Sequence, residues 1–190
     1  FYAGAKLAKI ERVEWIIIPD VNTAANALQQ GEVDFLESPP GDLIPTLKKN
    51  KDVVVAIHNK SGFGAFLRPN FIIPPFDNMK TRQALLYALN QEDYMASAIG
   101  GDPSYYKTCN AWLVCGTLYA SEAGTEGFKK PNIEKAKALL KEGGYTNQKV
   151  VILQPSDFKV IRDLTEVTIQ RLREIGMNVE VESIDWGQLL

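Results

Sequence analysis

The 190 residues carry 45% hydrophobic and 23% charged side chains, the balance of a globular core and not of a disordered tail. A net charge of −2 gives no electrostatic reason to expect nucleic acid or an anionic membrane as partner. The longest apolar runs, such as residues 53–57, are too short to cross a bilayer.

That length holds one domain, or one domain with a piece of a second. The opening Phe1-Tyr2-Ala3-Gly4 lacks a basic region followed by a long apolar stretch, so no signal peptide is read there. Residues 10–18 are rich in β-branched and aromatic side chains and end at Pro19-Asp20, which predicts a buried strand. Asn22 or Thr23 is placed to cap a helix whose Ala24, Ala27 and Leu28 share a face, with Gly31 as its stop. Residues 32–36 read as a short strand, Pro39-Pro40 as a turn, residues 41–50 as a short helix and residues 52–57 as another strand. This rhythm is that of an α/β layer.

The polar, glycine-bearing residues 58–63 suit a connection, dividing the chain into 1–57, 58–63 and 64–190. Residues 64–68 return to strand character. Asp77 or Asn78 caps a helix over 79–89, and Asn90 caps the next, with Asp93 in a capping-box-like position and Gly100-Gly101 as the stop. No period holds from 102 to 130, yet Tyr105, Tyr106, Trp112, Tyr119 and Phe128 fall there. Irregular segments of that length are usually functional or pinned by their own contacts. A helix then carries Ile133, Ala136, Leu139 and Leu140 inward and stops at Gly143-Gly144. Residues 149–153 form a strand. Ile161, Leu164, Thr168, Leu172 and Ile175 line a long helix that ends at Gly176. Residues 177–184 alternate as a strand, and Asp185 caps a final helix.

No catalytic constellation stands out. The lone His58 falls on the presumed connection, no Ser or Cys sits at a nucleophile turn, and no phosphate-binding loop is present. Glu32 and Asp34 share a strand face but read as a solvated pair. The reading is therefore not an enzyme, with no cofactor and no metal site. Arg82 reads as a structural ion pair more than as a contact for an anionic ligand, Asp77 as a cap, and Trp15 and Trp186 as core. Trp112, Tyr105 and Tyr106 suit a ligand wall, or equally a local core pinned by cysteines. Cys109 and Cys115 have neither redox-pair nor zinc spacing. Their five intervening residues allow a closed disulfide loop, or two free thiols.

Six segments in order carry a resemblance: Tyr2-Ala3-Gly4, Ile18-Pro19-Asp20, residues 28–34 (LQQGEVD), 74–90 (PPFDNMKTRQALLYALN), 134–145 (EKAKALLKEGGY) and 172–181 (LREIGMNVEV). Together they resemble family 5 of the extracellular solute-binding proteins, the receptors that feed peptide, nickel and sugar ABC importers. The resemblance implies a fold of the periplasmic-binding-protein type (class II, peptide-binding), with a mixed sheet flanked by helices. Residues 1–57 would close a first lobe and 64–190 open a second, within a longer protein. It implies an exported, periplasmic, non-enzymatic chain whose partners are a peptide or small solute and the membrane permease subunits of the importer. An oxidising compartment would then favour a Cys109–Cys115 disulfide pinning the aromatic loop. Arg68, where the family often has an apolar residue before the Asn, joins Tyr105, Tyr106 and Trp112 as a candidate ligand-binding residue. The alternative use of the same architecture is a ligand-sensing domain of a signalling or transcriptional regulator. Read as a middle piece, the chain is expected to expose the β-branched residues of 13–18 and 53–57. They would pair in a dimer of the fragment or fold back onto the second lobe.

Overall fold

Asp20 starts the first regular element of the computed structural model, which describes residues 7–60, 62, 64–100 and 102–190. Its carboxylate accepts from the Thr23 backbone N–H and hydroxyl, both at 2.7 Å, opening α1 (Val21–Gln30). The cap is thus Asp20, and not the expected Asn22 or Thr23. Thr23 is instead the donor, and its bonds hold the Asp20 carboxyl below the usual carboxylate range. Gly31 closes α1 at a φ of 74°, a left-handed backbone that glycine adopts without cost. Ala24, Ala25 and Ala27 of α1 are buried, as are Ile44 and Leu47 of the short α2 (Ile44–Leu47). The Asn50 amide reaches back to the Gln29 carbonyl.

By their contacts the residues form two units. The first runs to Pro39 and resumes over Leu43–Val55; the second comprises Pro40–Asp42 and Ala56–Leu190. Tyr2-Ala3-Gly4, Ser61 and Phe63 of the expected connection, and the Gly101 helix stop, lie outside the described residues.

The expected strands over 10–18, 32–36 and 52–57 are not formed in the first unit, nor is the one over 64–68 in the second. A strand exists by pairing, and among the described residues none of these segments has a ladder neighbour. Their side chains face outward accordingly. Ile17 and Val54 are each 90% exposed, and Trp15, expected in the core, is 85% exposed.

The second unit holds the rest of the fold. Asn78 accepts from the Lys80 and Thr81 N–H groups to start α3 (Met79–Ala88). Asn90 starts α4 (Gln91–Ile99) and Asn132 starts α5 (Ile133–Glu142). β1 (Lys149–Pro155), α6 (Lys159–Glu174) and β2 (Asn178–Ile184) form a strand–helix–strand crossover, and Asp185 caps α7 (Trp186–Leu189). β1 and β2 pair in parallel, from Lys149 opposite Asn178 to Pro155 opposite Ile184, which requires such a crossover. Among the described residues the sheet is this parallel pair and not the expected mixed sheet, because the remaining predicted strands find no partner.

Val150 and Ile152 share a face with Val179 and Val181 in this register. Against it gathers one core of Ala84, Leu85 and Ala88 from α3, Leu139 and Leu140 from α5, and Leu172, Ile175 and Met177 around the end of α6. Fully buried alanines at 84, 88 and 136 let α3 and α5 approach closely. The opposite sheet face keeps Val151 and Leu153 exposed. Trp186, half-buried, packs edge-on against Phe158 at 5.1 Å instead of lying in this core.

Candidate functional site

α4 is fixed to α6 by polar contacts along its length. Asp93 binds the Arg171 guanidinium through both Nε and Nη2, and no described hydrogen bond from the Asn90 N–H completes the expected capping box. With Glu174 on the same guanidinium, the carboxylates raise the Arg171 pKa above its ordinary value. Tyr94 and Thr168 hydroxyls meet at 3.0 Å. Thr168 spends its proton on the Leu164 carbonyl, so Tyr94 is the donor. Ser97 donates to the Asp163 carbonyl.

The irregular stretch from 102 to 130 hangs on this scaffold. At its start Asp102 accepts from the Ser104 N–H at 2.9 Å. Gln91, the first residue of α4, donates through Nε2 to the Cys109 carbonyl at 2.6 Å and accepts the Cys109 N–H on Oε1 at 2.7 Å. Cys109 and Cys115 are joined in a disulfide with Cα atoms 5.8 Å apart. The chain leaves this ring through Gly116 at a φ of 85°, where a side chain would be strained. Thr117 ties the exit down by donating to the Val114 carbonyl at 2.8 Å.

The far end of the stretch is held by α3. Phe128 meets Tyr87 edge-on at 4.9 Å. Gly127 lies so close beneath the Tyr87 hydroxyl that a Cβ there would come within 2.9 Å of it. The Asn132 N–H donates to the Tyr87 carbonyl at 2.7 Å. Between these anchors Thr125 is buried and donates to the Glu122 carbonyl. Lys129 pairs with Glu122, which raises the lysine pKa.

Of the candidate residues, Trp112 is carried within the disulfide ring and is 61% exposed, beside exposed Leu113 and Val114. Tyr105 and Tyr106 are half-buried on the approach to Cys109. Arg68 is exposed in the irregular segment after residue 64, and no described hydrogen bond or ion pair brings it to the loop. Among the described residues Arg82 makes no ion pair. Its guanidinium donates to the Phe76 and Asp77 carbonyls at 2.7 and 3.0 Å, satisfying the turn that leads into α3. Gln91 was not singled out from the sequence. A polar residue opening a helix has no local mark that it will bind a loop 18 positions later.

Among the described residues no group of three or more His, Cys, Asp or Glu could hold a metal. No described helix is long and apolar enough to cross a membrane. The first residue of α4 thus holds a covalently closed loop that carries exposed Trp112, Leu113 and Val114.

The family model described as bacterial extracellular solute-binding proteins, family 5 middle, matches residues 1–190. A probable peptide ABC transporter periplasmic-binding protein, y4tO of Sinorhizobium fredii, is 38% identical over 99% of this chain and 36% of its own length. The glutathione-binding protein GsiB of Pectobacterium atrosepticum is 31% identical over 98% of this chain and 35% of its own. Among solved structures, DppA of Helicobacter pylori, in complex with peptide STSA, superposes with a TM-score of 0.75. It is 27% identical and covers 90% of this chain and 32% of DppA. AgaA of A. tumefaciens R10, in complex with agropinic acid, superposes with a TM-score of 0.72 at 26% identity, over 90% and 34% of the two chains. The chain spans about a third of the length of the relatives it matches.

Proposed function

The chain belongs to the family 5 bacterial extracellular solute-binding proteins, and from that premise we propose that it is the middle part of a periplasmic receptor serving an ABC importer. The receptor captures a short peptide and delivers it to the membrane permease without chemical change. The match of the family to the whole chain carries this reading. Relatives named for peptide and for glutathione support the ligand class. Residues 1–57 close the first lobe of the class II fold, 58–63 connect, and 64–190 open the second lobe, whose sheet is completed to a mixed one by the remainder of the protein. The contact boundary at Val55 and Ala56 supports that division. Within the second lobe Tyr105, Tyr106 and Trp112 form part of the ligand wall, with Arg68 as a polar contact. Such walls are mostly apolar with a few polar anchors.

The test is native mass spectrometry of the full-length receptor purified from cells, followed by calorimetry with what co-purifies. A bound peptide of a few residues, released on denaturation, is the expected result. A co-purifying sugar or metal chelate would overturn the peptide reading while leaving the receptor role standing. Turnover of the bound molecule would overturn the receptor role.

A further inference from the structure

We propose that the Gln91 carboxamide is a latch that fixes the Cys109–Cys115 ring, and Trp112 with it, to the start of α4. The disulfide closes the ring but does not tell it where to stand, since both cysteines belong to the same loop. Gln91 supplies the missing attachment. Its side chain offers one donor and one acceptor on a single planar group, and both engage the backbone of one residue, Cys109, at 2.6 and 2.7 Å. A neighbouring strand would engage that residue in the same way. Lysine, which only donates, and ionised glutamate, which only accepts, could each replace one half but not both.

The latch is anchored behind. α4 is bound to α6 through Asp93 to Arg171 and Tyr94 to Thr168, and α6 packs into the core around Leu172. A continuous set of named contacts therefore runs from the exposed ring to the sheet. Gln91 is a positioning residue: it binds the Cys109 backbone and acts on Trp112 through the ring. Its bearing on binding rests on the reading above of Trp112 as part of the ligand wall.

The latch is tested in the full-length receptor labelled with 5-fluorotryptophan, the Trp112 resonance being identified by its loss in Trp112→Phe. In Gln91→Ala the Cys109 amide is expected to exchange with solvent about tenfold faster, the effect of losing two neutral hydrogen bonds at a partly exposed site. The Trp112 resonance should move with helix content unchanged. Gln91→Glu gives the sharper result. Ionised, it still accepts the Cys109 N–H but turns a second oxygen toward the Cys109 carbonyl. Protonated, it donates there as the amide does, so the Trp112 resonance should return toward its original position as pH falls through the carboxyl's titration. An unchanged Cys109 exchange rate in Gln91→Ala overturns the latch, and so does a Gln91→Glu resonance that does not titrate. Calorimetry with the tetrapeptide STSA separates the two readings. If Trp112→Ala binds it as well as the original receptor does, or if neither binds it, the ligand-wall reading falls, while the latch is judged by its own readouts.

Discussion

Gly143 sits where a side chain has no room. A Cβ there would lie 2.8 Å from Thr81 Oγ1, 3.1 Å from Asn78 Oδ1 and 3.2 Å from the Leu139 carbonyl. Its backbone is ordinary right-handed helix, so the constraint is the close approach of the end of α5 to the start of α3. Gly143→Ala should therefore destabilise the fold by about 1–3 kcal/mol, as overpacking does, measured by urea unfolding. Thr81 predicts the opposite sign. Its hydroxyl is fully buried without a hydrogen-bond partner among the described residues, so Thr81→Val, which removes the unmet group and keeps the shape, should be neutral or stabilising by up to about 1 kcal/mol. A loss of more than that in the same assay would mean the hydroxyl is satisfied. Tyr94 adds a pH dependence. Burial, first, raises its pKa above the ordinary 10.0, so the folded state holds the phenolic proton more tightly than the unfolded chain. The resulting stability is fully present below the unfolded value and is lost as pH rises through the folded one. Unfolding followed from pH 8 upward should show this alkaline fall, and Tyr94→Phe should flatten it.

At the scale of elements, what was legible in the sequence was local. The helices over 79–88, 91–99, 133–142 and 159–174 announced themselves by Asp77 or Asn78 and by Asn90 as caps, by the spacing of Leu164, Thr168 and Leu172, and, for the last three, by glycine stops. The strand, helix and strand of the crossover β1–α6–β2 were each legible within 36 consecutive residues, 149–184, but their parallel pairing was not. Strands over 10–18 and 52–57 did not follow. β propensity describes a surface that fits between neighbours, and neighbours are not written in the segment itself. The site divides in the same way. Cysteine spacing allowed the ring and the family resemblance favoured it, whereas the pairing of Gln91 with Cys109 depends on where α4 places its first side chain. The element-scale prediction follows from that division. Reducing the disulfide frees Cys115 but leaves Gln91 on Cys109, so hydrogen exchange after mild reduction should rise at residues 112–116 and stay low at the Cys109 amide. Uniform loss of protection across the ring would show that the disulfide alone orders it.

For the whole molecule the deciding quantity is uncovered apolar surface. Ile17, Val54 and Trp15 face solvent, as do Val151 and Leu153 on the open face of β1. Domains avoid leaving unpaired β-branched segments and apolar sheet faces in water, and each Å² covered contributes roughly 25 cal/mol. Relatives are nearly three times as long as the part that matches this chain, and in a receptor of that length, as proposed, further residues would cover these faces. The isolated chain should therefore self-associate through them, while the full-length receptor stays monomeric, which sedimentation velocity over a concentration series distinguishes. On the proposed reading the same deficit bears on function, because part of the ligand wall would lie in residues beyond these 190. Calorimetry should find the co-purified ligand binding the full-length protein and not the 190 residues. Equal affinity would place the whole site inside this chain and overturn the division into lobes at residues 57 and 64.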